Sequence, residues 1–493
     1  MKQYISFPLA SILVACSQGI NAFEKQAEQK PNVLFICVDD LRPDLGCYGN
    51  VNIKSPHIDR LAETGVVFTN HFTQVPTCGA SRCCLLTGML PRTVAHLNNE
   101  ACHQFISGKP ETDRPETFIH NLRRNGYYTV GVGKVSHYVD GLLYGYTDPV
   151  GTEYELPHSW NEMLFNPGKW GTGWNAFFGY ADGTNRQSRN KQVKPYEMAD
   201  VEDTGYPDGL IAEQALSKLG ELAKMEKPFF LAVGFFKPHL PFNAPKKYWD
   251  LYDESEIPLS PNPFVPENVN KKSLHGSNEF NGYELGDEKA TLNNPVSEAY
   301  ARKLTHAYYA CVSYIDAQIG KLVGELEKLG LADNTIIVIW GDHGWHLGDH
   351  LIWGKHTIFE RALKSAFIMR VPQMNSPGKR IDRIVSSTDI YPTLMDLCQV
   401  EMNFSIDGKS MVPILKNAHT TDWTDASWGY FNQGITLRTQ KYRLTKYFRK
   451  EQPVIELYDH ETDPWESRNV AGQYPKVVQS LLSELEKGNK GVY

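Results

Sequence analysis

Short apolar runs alternate with amphipathic segments along most of the chain. Four runs are continuous and rich in β-branched or aromatic residues, which is typical of strands buried on both faces of a parallel sheet. They lie at Asn32–Asp40, Tyr127–Lys134, Pro228–Phe236 and Asn334–Gly344. Helical patterns precede the last three, and the two that precede Pro228–Phe236 and Asn334–Gly344 have an apolar spacing near 3.6 residues. The alternation predicts an α/β fold, a large mixed, mostly parallel sheet sandwiched by helices.

Two regions depart from this alternation. Between Tyr138 and Gly205 the chain is rich in Gly, Pro, Trp and Tyr and has little periodicity. A connection of this length predicts a lid or a wall over a binding site. After residue 417, short alternating stretches with turns predict antiparallel strands, followed by a helix over Pro475–Glu486. We therefore expect a large domain over residues 30–417 and a small C-terminal α+β subdomain with an antiparallel sheet over residues 418–493.

The N-terminus has the pattern of an export signal over residues 1–22. A lysine is followed by an apolar run that is too short to cross a bilayer as a stable helix. The sequence Leu13-Val14-Ala15-Cys16 is similar to a bacterial lipobox, and cleavage after Ala22 is the alternative. Either route predicts a bacterial protein in the periplasm or lipid-anchored at the cell envelope, with the anchor as its single contact with a membrane.

Composition narrows the class of protein. The 493 residues are 41% hydrophobic and 22% charged, which is typical of a soluble globular protein. The formal net charge of −7 argues against a general nucleic-acid-binding surface. The nine cysteines match neither a zinc pattern nor a tight disulfide framework.

Chemically capable side chains follow each of the four predicted strands. They are Asp39 and Asp40, Lys134 and His137, Lys237 and His239, and Asp342 and His343. Loops after strands are usually polar, which explains any one of these pairs by itself. Parallel sheets, however, gather the carboxyl ends of their strands at one crevice, so four such pairs predict a shared site.

The acids in this set predict a metal site. Asp39, Asp40 and Asp342 offer hard oxygen ligands and His343 offers a nitrogen, a set that suits Ca²⁺ or Mg²⁺. Three carboxylates at one point would repel one another without a cation. A turn or helix cap is the alternative for Asp39 and Asp40 alone, and a zinc phosphatase site is the alternative for the whole set.

Cations near these acids imply that an anionic group binds there as well. Arg82, Lys134, Lys237 and Lys355 are the candidates. His137 and His239 are candidates for proton transfer, and purely structural hydrogen bonding is the alternative for either ring.

The stretch CGASR at Cys78–Arg82, followed closely by LLTG, resembles the sulfatase signature C-x-(P/A)-x-R with L-T-G. The order of CVDDLRPDLGCYG, VGKVSHY, FFKPHLPF, GDHGWHLGDHLIWGKHT and DIYPTLMDL is similar to the iduronate-2-sulfatase branch of that family. The resemblance covers nearly the whole mature chain. It implies an alkaline phosphatase-like fold with residues 30–417 as the sulfatase catalytic domain.

The resemblance also implies a modified cysteine. Cys78 would be oxidised to formylglycine (3-oxoalanine) by a formylglycine-generating enzyme or an anaerobic sulfatase-maturating enzyme, and Ala80 points to the anaerobic type. The cation would be Ca²⁺, with Mg²⁺ as the alternative. Its ligands would come from five residues: Asp39, Asp40, Cys78, Asp342 and His343.

Catalytic roles carry over in the same way. Arg82, Lys134 and His137 would hold and polarise the modified Cys78. Lys355 would bind the sulfate oxygens, and His239, helped by Lys237, would protonate the departing alkoxide. Lys237, Lys355 and His239 would therefore contact the substrate.

The substrate implied is a sulfated oligosaccharide, with the 2-O-sulfate of iduronate or another uronate in glycosaminoglycan fragments as the first expectation. Lys355, His350 and Arg92 are the candidates for pairing with the uronate carboxylate. Three alternatives stay open: a sulfatase of galactose or fucose polymers, a phosphomonoester or phosphonate hydrolase of the same superfamily, and an inactive glycan-binding protein.

Overall fold

The computed structural model describes Met1, residues 30–374 and residues 378–493. Apart from Met1, the predicted export segment and Cys16 lie outside the described residues. Among the helices of the described ranges, none has both the length and the hydropathy that crossing a bilayer requires.

The strands belong to one large sheet and three smaller ones. They are β1 (Asn32–Val38), β2 (Val66–Phe72), β3 (Tyr128–Gly133), β4 (Glu162–Leu164), β5 (Tyr196–Ala199), β6 (Phe229–Phe235), β7 (Phe242–Pro245), β8 (Thr335–Gly341), β9 (His346–Leu347), β10 (Trp353–Gly354), β11 (Phe367–Arg370), β12 (Lys379–Ser386), β13 (Ser427–Phe431), β14 (Gly434–Arg438), β15 (Tyr442–Tyr447) and β16 (Ile455–Asp459).

The α-helices vary from single turns to one helix of 31 residues. They are α1 (Pro56–Thr64), α2 (Cys78–Thr87), α3 (Ala101–Phe105), α4 (Phe118–Arg124), α5 (Gly173–Phe177), α6 (Pro207–Leu222), α7 (Lys246–Trp249), α8 (Asn278–Asn281), α9 (Glu298–Lys328), α10 (Glu360–Leu363), α11 (Ile390–Leu397), α12 (Val412–Lys416) and α13 (Pro475–Leu485).

The large sheet has the strand order β12-β2-β11-β8-β1-β6-β3-β4. Its strand pairs are parallel, except that β11 runs antiparallel to both β2 and β8. The four strands predicted from continuous apolar runs are β1, β3, β6 and β8, and they are adjacent at the centre of the sheet. The expectation of a mixed, mostly parallel sheet is confirmed.

Strand β1 shows why these runs are apolar throughout. Leu34, Ile36 and Val38 point into a core that also contains residues of α1, α6 and α9. The alternate residues Val33 and Phe35 point into a second core, on the face covered by α2, α4 and α11. Because helices cover both faces, every residue of β1 is buried.

The C-terminal part of the chain forms the predicted antiparallel sheet, in the order β13-β14-β15-β16, and α13 follows it. Buried ion pairs of Arg438 and Arg443 join this sheet to Glu360, the first residue of α10. Arg443 lies 2.5 Å from a carboxylate oxygen of Glu360 and 2.6 Å from one of Glu466. A small α+β subdomain is present as expected, and its exact boundary at residue 418 stays a prediction.

Candidate active site

The sheet order places four polar strand ends at one edge. Asp39 and Asp40 follow β1, Lys134 follows β3, His239 comes shortly after β6, and His343 follows β8. Because these strands are neighbours and parallel, their carboxyl ends open onto the same crevice. The structure therefore brings together most of the residues that the sequence suggested.

Helix α2 carries Cys78 into this crevice as its first residue, after an extended Thr77. Gly79 is required there because a Cβ atom would lie 2.1 Å from the backbone oxygen of Asn99. The Asn99 side chain accepts a hydrogen bond of 3.0 Å from the Gly79 N–H. The Ser81 hydroxyl donates to the carbonyl of Asp342. The small residues of CGASR thus let the start of α2 pack directly against the ends of the strands.

The side chain of Cys78 is 4% exposed and lies close to an aspartate, a histidine and a lysine. Its Sγ lies 3.4 Å from Asp39 Oδ1, 3.2 Å from His343 Nε2 and 3.6 Å from Lys355 Nζ. Burial raises the pKa of this thiol well above its usual range. A thiol that stays protonated at neutral pH is a poor nucleophile, so the environment does not fit a conventional catalytic cysteine.

Four residues form a group that could hold a metal ion. Ligand atoms of Asp39, Asp40, Cys78 and His343 all lie within 4.8 Å of one another. Burial raises the pKa of Asp40 to about 7, although Lys355 and His343 act against this effect. The carboxylate oxygens are the hard donors that Ca²⁺ and Mg²⁺ prefer, so the donor set fits such an ion.

Asp342 lies outside this four-residue group. Its Oδ1 accepts a hydrogen bond of 3.0 Å from the Asp40 N–H, and its Oδ2 lies 3.0 Å from Arg82 Nη2. His343 Nε2 is 3.7 Å from Asp342 Oδ1. The side chain is therefore adjacent to the group and bonded by protein donors, and its role as a metal ligand stays a prediction.

Arg82 differs from the expectation that it holds the modified cysteine. The side chain is fully buried and does not line the cavity. Its guanidinium binds Asp342 and donates to the carbonyls of Lys134 and Val135. Because all of these partners belong to strand ends, Arg82 fixes the position of Asp342 relative to β3 and acts as a positioning residue.

Two lysines line the cavity together with the cysteine. Lys134 binds Asp39 and lies over the ring of Phe177, with Nζ 4.3 Å from its centroid. Lys355 Nζ lies 3.1 Å from Asp40 Oδ1. Burial opposes the charge on Lys355, but Asp40 and Cys78 raise its pKa well above the usual range. Both lysines line the cavity, so two permanent positive charges are available to an anionic group near Cys78.

His239 lines the same cavity and contacts a carboxylate that the sequence did not suggest. Its Nε2 lies 3.0 Å from Glu279 Oε1, and its Nδ1 lies 2.6 Å from the carbonyl of Leu240. Burial and Lys355 lower the pKa of His239, while Asp39 and Glu279 act in the opposite direction. Both ring nitrogens face protein acceptors, Glu279 and the carbonyl of Leu240, and these contacts fix the orientation of the ring beside the cavity.

Lys237 does not reach the cavity. Its Nζ donates a hydrogen bond of 3.0 Å to the carbonyl of His239, and burial lowers its pKa. The structure does not bring Lys237 to the cavity with the other site residues, and its contact with substrate stays a prediction. The side chain instead holds the backbone that presents His239.

His137 lines the cavity beside Trp174, with ring centroids 5.2 Å apart. Burial and the Lys134 ammonium hold the pKa of His137 well below its usual range. Its Nδ1 is buried and has no hydrogen-bond partner within the described ranges. A neutral ring with an unused polar atom can bind or orient a ligand group.

The cavity in front of Cys78 has a volume of about 310 Å³. It is lined by Thr77, Cys78, Asn99, Lys134, His137, Tyr146, Phe177, Phe178, Arg186, Lys191, His239, Asn278, Glu279, Gly282, Lys355 and His356. The aperiodic segment over residues 138–205 contributes five of these residues, so it forms one wall of the cavity, as its length suggested. Glu279 lies on the short helix α8, whose sequence carries no recognisable signal.

Two candidates for a carboxylate partner lie elsewhere. His350 Nε2 is 3.0 Å from the carbonyl of Trp465, and Arg92 Nη2 is 2.6 Å from Asp407 Oδ2. Neither residue lines the cavity. Arg186 and Lys191 do, and isolated basic residues in an aperiodic segment give no sequence signal for this position.

The fold is an alkaline phosphatase-like α/β sheet, and buried acids, lysines and the side chain of Cys78 on α2 meet at one of its edges. This arrangement defines a class of hydrolases that act on anionic esters. The Sulfatase family model matches residues 31–400, and the model described as "N-sulphoglucosamine sulphohydrolase, C-terminal" matches residues 348–491. The chain therefore belongs to the sulfatase family, as its motifs indicated.

Sequence relatives agree with this assignment, and a solved structure shows the same fold. Mouse iduronate 2-sulfatase is 35% identical over 400 residues, which cover 74% of this chain and 68% of that protein. Human iduronate 2-sulfatase is 32% identical over 433 residues, covering 81% and 74% respectively. The phosphonate monoester hydrolase of Agrobacterium radiobacter is 24% identical with a TM-score of 0.73, covering 93% of this chain and 95% of that one, which confirms the fold.

Proposed function

We propose that this sulfatase removes the 2-O-sulfate from a uronic acid at the end of a glycosaminoglycan fragment, with Cys78 matured to formylglycine. The observation that carries the reaction is the position of Cys78. It is the first residue of α2, its thiol is held protonated by burial, and it lies between an oxygen-ligand group and two lysines. The similarity to the two iduronate 2-sulfatases supports the choice of sugar.

The chain's own residues would hold a Ca²⁺ ion, or alternatively Mg²⁺, through Asp39, Asp40 and His343, with Cys78 beside them. When bound, such an ion supplies positive charge that stabilises sulfate oxygens and favours a deprotonated hydroxyl. Formylglycine, as its hydrate, supplies one hydroxyl for attack on sulfur and a second whose deprotonation releases sulfate.

Lys134 and Lys355 bind and orient the sulfate group. Both are cavity-lining cations held in place by the carboxylates behind them, Asp39 and Asp40. Fixed charges of this kind need little rearrangement as negative charge develops in the transition state, which makes them effective. Arg82 binds Asp342 and the backbone after β3, and so holds both in position beside the two lysines.

His239 donates a proton to the sugar oxygen as the sulfur–oxygen bond breaks. Sugar alkoxides are poor leaving groups, so an acid on that side contributes substantially to the rate. Glu279 orients the ring, and Lys237 holds its backbone. His137, which is neutral, contributes a hydrogen-bonding atom to the same cavity.

The cavity fits a terminal sugar. Its volume of about 310 Å³ is at the small end for ligand sites. Tyr146 is 41% exposed at the cavity, and its ring centroid lies 4.6 Å from that of Trp174. An aromatic face of this kind supports a sugar ring, which has apolar C–H faces.

We also propose that the protein is exported to the periplasm or anchored at the cell envelope by a lipid on Cys16, and that a maturating enzyme recognises CGASR during this process. Residues 30–417 would form the catalytic domain and residues 418–493 the subdomain.

Defined disaccharides test the substrate assignment. Sulfate release, measured by ion chromatography, is expected from a disaccharide with a non-reducing 2-O-sulfated uronate. It is not expected from one sulfated at O6 or at the nitrogen of its hexosamine. Release from the 6-O-sulfated hexosamine alone would contradict the uronate assignment.

A further inference from the structure

A second pair of positive charges lines the cavity, separate from the lysines beside Cys78. Lys134 and Lys355 are each committed to a buried carboxylate. Arg186 and Lys191 line the cavity too, and no carboxylate in the described ranges lies within 4.0 Å of either one. The one acid lining the cavity, Glu279, already faces His239 and Lys355. Within the described ranges, these two positive charges are therefore left without a carboxylate partner.

Arg186 is held rigidly. Its guanidinium carbon lies 3.9 Å from the ring centroid of Phe178 and 5.2 Å from that of Tyr283. Its backbone N–H donates a hydrogen bond of 3.2 Å to the carbonyl of Phe178. The Nε atom is buried and has no hydrogen-bond partner within the described ranges. An arginine held against aromatic rings keeps its N–H donors available for a planar anion.

Lys191 is brought to the cavity by a turn. Its backbone N–H donates a hydrogen bond of 2.8 Å to the carbonyl of Arg186, and its own carbonyl accepts one of 2.9 Å from the Glu284 N–H. Lys191 has a φ of +64°, an arrangement that costs energy for a residue with a side chain. These backbone bonds tie Lys191 to Arg186 and fix the two as a unit.

We propose that Arg186 and Lys191 form a carboxylate subsite that binds the C6 carboxylate of the uronic acid whose sulfate lies against Cys78. The guanidinium of Arg186 matches a carboxylate with two parallel hydrogen bonds, and Lys191 adds a point charge. A sulfated neutral sugar would leave both cations unmatched. This subsite rests on the proposed function and specifies how the enzyme distinguishes a uronate from a neutral hexose.

The test compares a 2-O-sulfated uronate disaccharide with the same disaccharide in which the carboxyl group has been reduced to an alcohol. The wild-type protein is expected to show a kcat/KM about 10- to 100-fold higher on the carboxylate. Arg186→Gln and Lys191→Gln are expected to lower kcat/KM on the carboxylate, with the larger loss for Arg186→Gln. Both variants should stay within about 3-fold of wild type on the reduced substrate.

Arg189→Gln is the matched control. Arg189 lies on the same turn but does not line the cavity, and its side chain is 55% exposed beside Asp182. It should leave both substrates unchanged. The wild-type comparison needs no substitution, and Lys191 is exposed, so the result does not depend on whether Arg186→Gln folds.

The outcomes distinguish failure of the carboxylate subsite from failure of the proposed function. Equal wild-type activity on both substrates, or equal losses on both in the variants, would overturn the subsite while leaving uronate sulfate release intact. A wild-type enzyme that releases sulfate from neither of the two disaccharides would overturn the proposed function and the subsite together.

Discussion

Glu279 Oε1 lies 3.0 Å from His239 Nε2, and the other carboxylate oxygen of Glu279 lies 3.6 Å from Lys355 Nζ. Burial opposes ionisation of Glu279, but Lys355 and His239 hold its pKa well below the usual range. The carboxylate is therefore charged at neutral pH. It links the residue assigned to proton donation with a residue assigned to sulfate binding, and it fixes the ring of His239.

Glu279→Gln should lower kcat about 10-fold on a sugar sulfate and much less on an aryl sulfate, because an aryl oxide leaves without needing a proton donor. His239→Ala should show the same pattern with a larger loss. Steady-state kinetics on both substrates provide the measurement. Equal losses on both would mean that Glu279 acts on folding or on sulfate binding, and not through His239.

Cys78→Ala should abolish sulfate release, with a loss of about 1,000-fold or more, because the attacking group is removed. Cys47→Ala, at a half-buried cysteine remote from the cavity, is the matched control and should retain activity. Mass spectrometry of the peptide containing Cys78 should show formylglycine in the active wild-type enzyme. An unmodified thiol in fully active protein would refute this chemistry.

Chelation should reduce sulfate release and lower the thermal midpoint, since the carboxylates of Asp39 and Asp40 then repel each other without a cation. Added Ca²⁺ should restore both properties. In Asp40→Asn the stabilisation by Ca²⁺ should be much weaker, whereas Asp182→Asn, at an exposed acid, should respond like wild type. Full activity after exhaustive chelation would argue against a metal at this group.

Acid stability should depend on Asp203. Burial opposes its ionisation, but Lys247 and Lys321 outweigh burial and lower the pKa of Asp203 to about 2. Because the pKa of Asp203 in the folded protein lies below its usual value of 3.8, the contribution is present above about pH 4 and is lost as the pH falls towards 2. Asp203→Asn should lower the free energy of unfolding at pH 7 by about 1–3 kcal/mol.

Denaturant titrations at pH 7 and at pH 3 would measure this effect. The difference between Asp203→Asn and wild type should shrink at the lower pH. Asp182→Asn serves again as the exposed control and should change stability little at either pH. A difference that is the same at both values would mean that the charge of Asp203 does not contribute.

The centre of the fold could be predicted because its physical signature is local. Strands β1, β3, β6 and β8 are buried on both faces, so each is a continuous apolar run that one sequence reveals. Strand β12, at the edge of the sheet, mixes charged and apolar residues without strict alternation, and β11 has only four residues. Their pairing with β2 depends on contacts between distant parts of the chain, which periodicity does not encode.

The residues of the candidate site also fall into a group that the sequence could predict and a group that it could not. Residues directly after central strands, such as Asp39 and Lys134, could be placed together because parallel strands share an edge. The direction of a side chain could not be predicted, and Lys237, two residues from His239, points to a backbone carbonyl and not to the cavity. Glu279 and Arg186 come from segments without periodicity, so only the folded chain shows that they face the cysteine.

The wall over residues 138–205 has a consequence for how this scaffold diversifies. The hydrolytic apparatus is built on strand termini and on α2, whereas Tyr146, Arg186 and Lys191 all come from one uninterrupted stretch. Under the proposed function, exchanging that stretch between homologues would change which glycan the enzyme prefers and would leave the catalytic residues unchanged. Under the proposed function, the residues that recognise the sugar and those that cleave the sulfate ester thus lie in different parts of one polypeptide.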